Sequence, residues 1–482
     1  PRTGWADRRM LHLRSGHGEP MSYATIDPRT GETLKTFDDH DDAELDRRLQ
    51  AADDAHRELR STTFDDRAGW MRAAADLVDD EADATARIMT TEMGKTVAAA
   101  TAEVHKCAMA MRYYADHAEG YLTSIDYDPD AVNARRALTI WQPLGVVLAI
   151  MPWNFPLWQA VRFAAPALMA GNTGVLKHAS NVPQTAEYLG ELFGRAGFPD
   201  GAFSHLFVGS DRIAGVLADD RVRAATLTGS DGAGRAVAEA AGRNLKKTVL
   251  ELGGSDPYVV MPSADLEQAA QVATIARCQN NGQSCIAAKR FIVHADVHDT
   301  FAELFVEQMA AQQLGDPFDD ATDIGPLATE QGRSDVADAV SEAVDAGAKV
   351  LLGGEQPDRP GWWYPATVVT DIPEGTTMYD DEVFGPVAGL FKVDSYDHAV
   401  ALANDVPFGL GSNAWTNDAA EQQAFARDLD AGMVFINGMT ASYPSLPFGG
   451  VGSSGYGREL ADMGIREFCN AKTVWVGGDE PT

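Results

Sequence analysis

Cysteine is scarce in this chain: there are four in 482 residues, Cys107, Cys278, Cys285 and Cys469, widely spaced and with no CxxC pair. That spacing suggests neither a disulfide framework nor a zinc site, and no other metal set is expected; thiols kept this way suit a reducing cytoplasm. Basic residues are also few, 39 against 71 acidic ones, leaving a formal net charge of −32. Nucleic acid is therefore excluded as a partner, since phosphate backbones are held by clustered Lys and Arg. Long apolar runs are missing too. The strongest, Leu144 to Met151 and Phe163 to Met169, are too short to span a bilayer. The first twenty residues are rich in Arg and lack the apolar segment of a secretion signal, so residues 1–20 read as a flexible extension before the globular pattern opening at Met21. There is no repeat of roughly 20 to 50 residues and no low-complexity tract.

What is present is an ordinary globular composition, 45% hydrophobic and 23% charged, over a length that implies two or three domains. Acidic clusters such as Asp38-Asp39, Asp219-Asp220 and Asp319-Asp320 fall in turn-like stretches and read as a solvated surface. With Arg outnumbering Lys, such a shell points to a salt-adapted, halophilic protein. From Ala43 to His105 apolar residues recur at three- and four-residue spacing, predicting helices over Asp65 to Asp79 and Glu81 to Met93. Val146 to Ile150, Thr173 to Lys177, Phe203 to Val208, Ala224 to Thr228 and Thr248 to Glu251 read as buried strands with helical patterns between them, the signature of βαβ units. A second alternation follows Gly253-Gly254, with Pro257 to Val260, a helix through Cys278, Lys289 to Val293, Val350 to Leu352 and Val387 to Val393. The fold class is therefore α/β.

Four segments have the residue types that chemistry needs. Asn280-Asn281-Gly282-Gln283-Ser284-Cys285 delivers a thiol from a polar turn, near backbone N–H groups that favour a thiolate. An isolated cysteine is more often a buried structural thiol, and Cys107, Cys278 and Cys469 are read that way. Glu251 ends an apolar strand directly before two glycines, where burial raises a carboxylate's pKa and makes it a general base for water; a strand-end Glu reaching solvent is the plainer alternative. Asn154 stands between Pro152 and Pro156, in a stiff turn that aims an amide donor. Thr228-Gly229-Ser230 leading into Asp231-Gly232-Ala233-Gly234 forms a Gly-rich turn into a helix, able to hold a pyrophosphate although it is not GxGxxG.

Taken in order, Pro152-Trp153-Asn154-Phe155-Pro156, Thr228-Gly229-Ser230, Leu250-Glu251-Leu252-Gly253-Gly254, Gly282-Gln283-Ser284-Cys285, Glu382-Val383-Phe384-Gly385-Pro386 and Pro447-Phe448-Gly449-Gly450 resemble the aldehyde dehydrogenase superfamily, from about Tyr23 to Trp475. The resemblance implies Cys285 as nucleophile, Glu251 as general base, and Asn154 with the Cys285 N–H as an oxyanion hole. It implies NAD or NADP as cofactor, with Lys177 on the adenosine ribose, Trp153, Gly229 and Ser230 around the pyrophosphate, and Glu382 and Phe384 at the nicotinamide end. Three positions after Lys177, strictly NAD-using relatives often have Glu. Ser180 stands there instead, so a 2′-phosphate is tolerated, and His178 occupies a position where many relatives have Pro.

Trp158-Gln159-Ala160-Val161-Arg162 is similar to the succinate-semialdehyde branch, and Leu176 to Ala179, Glu251 to Pro257 and Glu467 to Asn470 look closest to its Sad type. In that branch an Arg at position 162 meets the far carboxylate of the substrate; a structural ion pair is the other reading of Arg162. The second Arg that some relatives place six residues before the nucleophile is Gln279 here. The implied activity is NAD(P)-dependent oxidation of succinate semialdehyde through a Cys285 thioester. A broad aliphatic aldehyde dehydrogenase is the alternative, and a non-catalytic binding protein on the same fold the remote one. A thiol hydrolase would need a His partner for the Cys, and no such motif is found; release of the thioester to coenzyme A is disfavoured by Glu251. The implied architecture is a Rossmann-type NAD(P)-binding domain (21–122 and 144–250), an α/β catalytic domain (251–440) and a small β bridging and oligomerisation element (123–143 and 458–478), in a homodimer or homotetramer.

Overall fold

The computed structural model describes residues 23–478; the extension expected over residues 1–20 lies outside them. A hairpin, β1 (Tyr23–Asp27) and β2 (Glu32–Phe37), precedes four helices, α1 (Asp42–Leu59), α2 (Phe64–Asp80), α3 (Ala82–Met93) and α4 (Val97–Tyr121). Their ends follow local chemistry. Thr63 and Asp66 form a reciprocal capping box that starts α2, and Gly94 at φ 80° closes α3.

On either side of Leu144-Gly145 the chain forms two strands that belong to different sheets. With β3 (Ile125–Tyr127), β4 (Arg136–Pro143) belongs to a small antiparallel sheet, whereas β5 (Val146–Met151) is central to a six-stranded one. From β5 the chain runs through α5 (Pro156–Ala170), β6 (Thr173–His178), β7 (Phe203–His205), β8 (Val222–Thr228), α6 (Asp231–Arg243) and β9 (Lys247–Glu251). Pairings among β5 to β9 are all parallel. Helices on both faces explain why β5 is almost wholly apolar and buried. Strand β7 stops at His205, short of the Val208 expected. The backbone beyond it is claimed by other groups: Tyr23 Oη donates to Val208 O at 3.0 Å, and His40 N donates to Phe207 O at 2.7 Å.

Every residue of α5 is buried. Pro156 opens it without needing a hydrogen-bond partner, and Glu103 of α4 caps it, accepting from Leu157 N at 3.0 Å and Trp158 N at 2.8 Å. The second sheet is built from β10 (Asp256–Val260), which leads into α7 (Leu266–Cys278), then β11 (Ala288–His294), β12 (Lys349–Leu352), β13 (Thr367–Thr370), β14 (Val387–Val393), β15 (Gly411–Trp415) and β16 (Met433–Ile436). Its strand order is β12-β13-β14-β11-β10-β15-β16, parallel except for the β12–β13 pair. The chain then returns. β17 (Gly455–Tyr456) adds antiparallel to β9, and β18 (Cys469–Val476) pairs along the whole of β4. No helix among the described residues is long and apolar enough to cross a membrane.

Candidate active site

Helix α7 ends at Cys278, and the next four residues make a tight turn in which Asn280 (φ 56°), Asn281 (φ 58°) and Gly282 (φ 73°) are all left-handed. Asn tolerates that region better than other side chains, and here its amides reward it. Asn280 Nδ2 donates to Asn154 O at 2.8 Å and Gln283 O at 3.0 Å, while Asn281 Nδ2 donates to Gly94 O at 2.8 Å and Pro326 O at 3.0 Å. A Cβ on Gly282 would meet Gly385 C at 2.4 Å, so the turn is seated against the loop bearing Glu382 and Phe384. Cys285 emerges from it partly exposed, whereas the other three cysteines are buried.

The carboxyl ends of β5, β8 and β9 converge beside this thiol. A cavity of about 230 Å³ is lined by Trp153, Asn154, Gly229, Ser230, Cys285, Glu382 and Phe384, with Pro152, Thr228, Leu252 and Gly253. Trp153 and Phe384 meet edge to face, their ring centres 5.7 Å apart. Ser230 caps α6, its Oγ accepting from Ala233 N at 3.3 Å. A ligand-binding crevice at the carboxyl edge of a doubly wound sheet is where a dinucleotide fits. Lys177 and Ser180 do not line this cavity. Lys177 lies one strand over, at the end of β6 opposite Ile150, its ammonium 5.8 Å from the Tyr23 ring centre.

A second cavity, about 90 Å³, is lined by Lys106, Trp158, Arg162, Gln279, Ser442 and Phe448 among others, and Cys285 is the one residue shared by both linings. In the linings of these two cavities, buried polar atoms lack partners: Asn154 Oδ1, Gln159 Oε1, Gln279 Nε2 and Ser284 Oγ; both Glu251 oxygens lack them too, although Glu251 lines neither cavity. Folded proteins rarely leave so many unsatisfied groups together outside a site of chemistry. Asn154 Nδ2 donates to Gln283 O at 3.2 Å, which uses one of its two hydrogens.

Electrostatics follow from burial. Desolvation pushes the Cys285 thiol up to about 12, with the charges of Arg162 and Lys289 pulling the other way. Glu251 is raised well above the usual carboxylate range by desolvation and then by the nearby Glu459 charge, against Arg162 and Arg458. Its end of β9 is held by Gly229 N, which donates to Glu251 O at 3.0 Å. Gly449 is required beside it, because a Cβ there would lie 2.6 Å from Glu251 Oε1. Arg162 is buried and ion-paired with Glu459; it also donates to Thr228 Oγ1 at 3.3 Å and stacks on Phe448 at 4.5 Å. Burial lowers Lys106 to about 8, with Cys107 and Glu103 opposing and Arg162 reinforcing.

Several residues here escaped sequence reasoning. Lys289 Nζ donates to Cys285 O at 2.7 Å and Ser284 O at 2.9 Å and pairs with Glu382 at 2.9 Å, orienting the thiol's backbone. The charged pair Lys289-Arg290 inside an apolar strand was the available signal. His178, which the sequence marked only as standing where many relatives have Pro, is fully buried, with burial taking it down to about 4. As a neutral ring it donates from Nε2 to Pro156 O at 2.8 Å and accepts at Nδ1 from Ala179 N at 2.9 Å, pinning the turn that bears Asn154. Among the described residues no group of three or more His, Cys, Asp or Glu side chains is arranged to hold a metal ion.

A model of the aldehyde dehydrogenase family matches residues 15–474. A succinate-semialdehyde dehydrogenase (NADP+) of Mycobacterium avium strain 104 is 60% identical over 461 residues, 95% of this chain and 98% of that protein. One from Mycobacterium tuberculosis strain H37Rv is 59% identical over 456 residues, 95% of this chain and 100% of that protein. Among solved structures, the succinic semialdehyde dehydrogenase of Streptococcus pyogenes, in complex with NADP+, is similar with a TM-score of 0.92 at 38% identity, covering 95% of this chain and 100% of that one.

Proposed function

The chain belongs to the aldehyde dehydrogenase family and is an NAD(P)-dependent oxidoreductase, and we propose that it oxidises succinate semialdehyde to succinate with NADP+, using Cys285, Glu251 and Asn154. The observation that carries the reading is Cys285 shared between a cavity at the carboxyl edge of the six-stranded sheet, where the nicotinamide half of a dinucleotide would enter, and a smaller one fit for a short aliphatic aldehyde. The names of the mycobacterial relatives support the substrate and the cofactor, and Ser180 in place of an acid supports room for a 2′-phosphate.

Cys285 Sγ bonds to the aldehyde carbon as the thiol proton passes to solvent, which leaves Glu251, made more basic by its burial, free for the hydrolytic step. The oxyanion so formed accepts from the second Asn154 Nδ2 hydrogen and the Cys285 N–H. Trp153, Gly229, Ser230, Glu382 and Phe384 would hold the dinucleotide's phosphate and nicotinamide half, with Lys177 and Ser180 further along the sheet edge. Bound there, the dinucleotide supplies the hydride acceptor. Glu251 then takes a proton from water, whose oxygen replaces sulfur at the acyl carbon and frees succinate.

We also assign 21–122 and 144–250 to cofactor binding, 251–440 to catalysis, and 123–143 with 458–478 to bridging. The separate β3-β4-β18 sheet supports the last, and its exposed Ile125, Tyr127 and Trp475 support homo-oligomer formation. Free cysteines and the acidic charge support a cytoplasmic, salt-adapted protein. The test is kinetic: succinate semialdehyde and butanal, each with NAD+ and NADP+, plus Cys285→Ala and Glu251→Gln. Expected are preference for the acid aldehyde with NADP+, no turnover in the first variant, and in the second an acyl adduct on Cys285 visible by intact mass. Equal kcat/KM for both aldehydes would overturn the substrate; turnover by Cys285→Ala would overturn the chemistry.

A further inference from the structure

Resting on the substrate reading above, we infer that Lys106, with Ser442 and Gln279 beside it, is the specificity-determining cation that receives the far carboxylate of the aldehyde, in place of Arg162. Lys106 projects from α4 into the small cavity that Cys285 also lines. Its Nζ donates to Ser442 Oγ at 2.6 Å and sits 4.3 Å from the Trp158 ring centre. The acid one turn before it, Glu103, is committed to Lys95 and to the Leu157 and Trp158 N–H groups. Among the described residues Lys106 has no carboxylate partner, which is an expensive condition for a half-buried ammonium unless an anionic ligand arrives.

Arg162 is in the opposite condition. Its charge is matched by Glu459, its face is covered by Phe448, and Glu251 lies within the same field. A third carboxylate brought to Arg162 would meet two others. Brought to Lys106 it meets a single unmatched positive charge, the Ser442 hydroxyl, and Gln279 Nε2, a buried donor without a partner. Gln279 stands where some relatives place a second Arg, so the cavity is not left with less positive charge than its ligand needs: the missing cation is supplied from α4.

The experiment compares wild type, Lys106→Met and Lys106→Arg with succinate semialdehyde and butanal, alongside thermal-shift titration with succinate in the presence of NADP+. A charge-assisted hydrogen bond in a partly dry cavity converts to a loss of on the order of 10- to 100-fold. Lys106→Met should raise KM for succinate semialdehyde by about that factor, collapse its preference over butanal, and abolish the succinate-induced shift; Lys106→Arg should recover most of each. A retained NADP+-induced shift establishes that a variant is folded. If wild type discriminates between the aldehydes and folded Lys106→Met does so equally, the inference is wrong while the substrate reading stands. If wild type itself does not discriminate, the substrate reading falls and takes the inference with it.

Discussion

Glu251 combines two conditions that seldom coincide: a carboxylate wholly inside the protein, and no hydrogen bond to either oxygen. Its raised pKa means it holds a proton at low pH, so hydrolysis should quicken as pH climbs through that value. Glu459 pushes the value up and Arg162 pulls it down. Glu459→Gln removes the first and leaves the second unopposed, so the rising limb of kcat against pH should move to lower pH; a limb that stays or moves up would contradict this arrangement. Asn154→Ala should lower kcat by about 10²- to 10³-fold with a smaller effect on KM, measured at saturating cofactor. At this scale the sequence was only half readable. Cys285, Glu251 and Asn154 stand in distinctive local contexts, but Glu459 and Lys106 matter through partners roughly 300 residues away, Arg162 and Ser442, which no local pattern records.

Among elements, the turn from Gln279 to Ser284 most directly determines where the sulfur sits. Asn281 ties it by three hydrogen bonds to two separate backbone segments, through Gly94 O on one and Gly325 N with Pro326 O on the other. Asn281→Ala loses those bonds while keeping a left-handed backbone, a combined cost of about 2–4 kcal/mol. A lowered Tm and faster alkylation of Cys285 should accompany it; an unchanged alkylation rate would mean the turn is held by other contacts. Gly449→Ala should slow acyl-enzyme hydrolysis more than its formation, since the added methyl crowds Glu251 and not the thiol, a split visible in pre-steady-state bursts. Elements were the most legible level of the sequence. β5, β6, β8 and β9 follow from apolar runs punctuated by Gly and Pro, within a residue or two of their observed bounds. The run beyond His205 had the same apolar character. It failed as strand because Tyr23 and His40, distant in sequence, take its carbonyls.

The whole molecule bears a formal charge of −32. Screening shortens from about 10 Å at 0.1 M salt to about 3 Å at 1 M, so self-repulsion among surface acids should weaken and Tm should rise as KCl increases over that range. A Tm that falls with KCl would show that the exposed Arg–Asp pairs outweigh the repulsion. The exposed apolar edge of the β3-β4-β18 sheet should be covered in solution, which sedimentation velocity measures directly. Because one sulfur alone belongs to both linings, the reactants have separate doors and share only a doorstep. A thiol-reactive inhibitor with a short acidic tail should therefore be slowed by aldehyde and not by dinucleotide, one with a flat heteroaromatic head should be slowed by both, and either should protect Cys285 from the other.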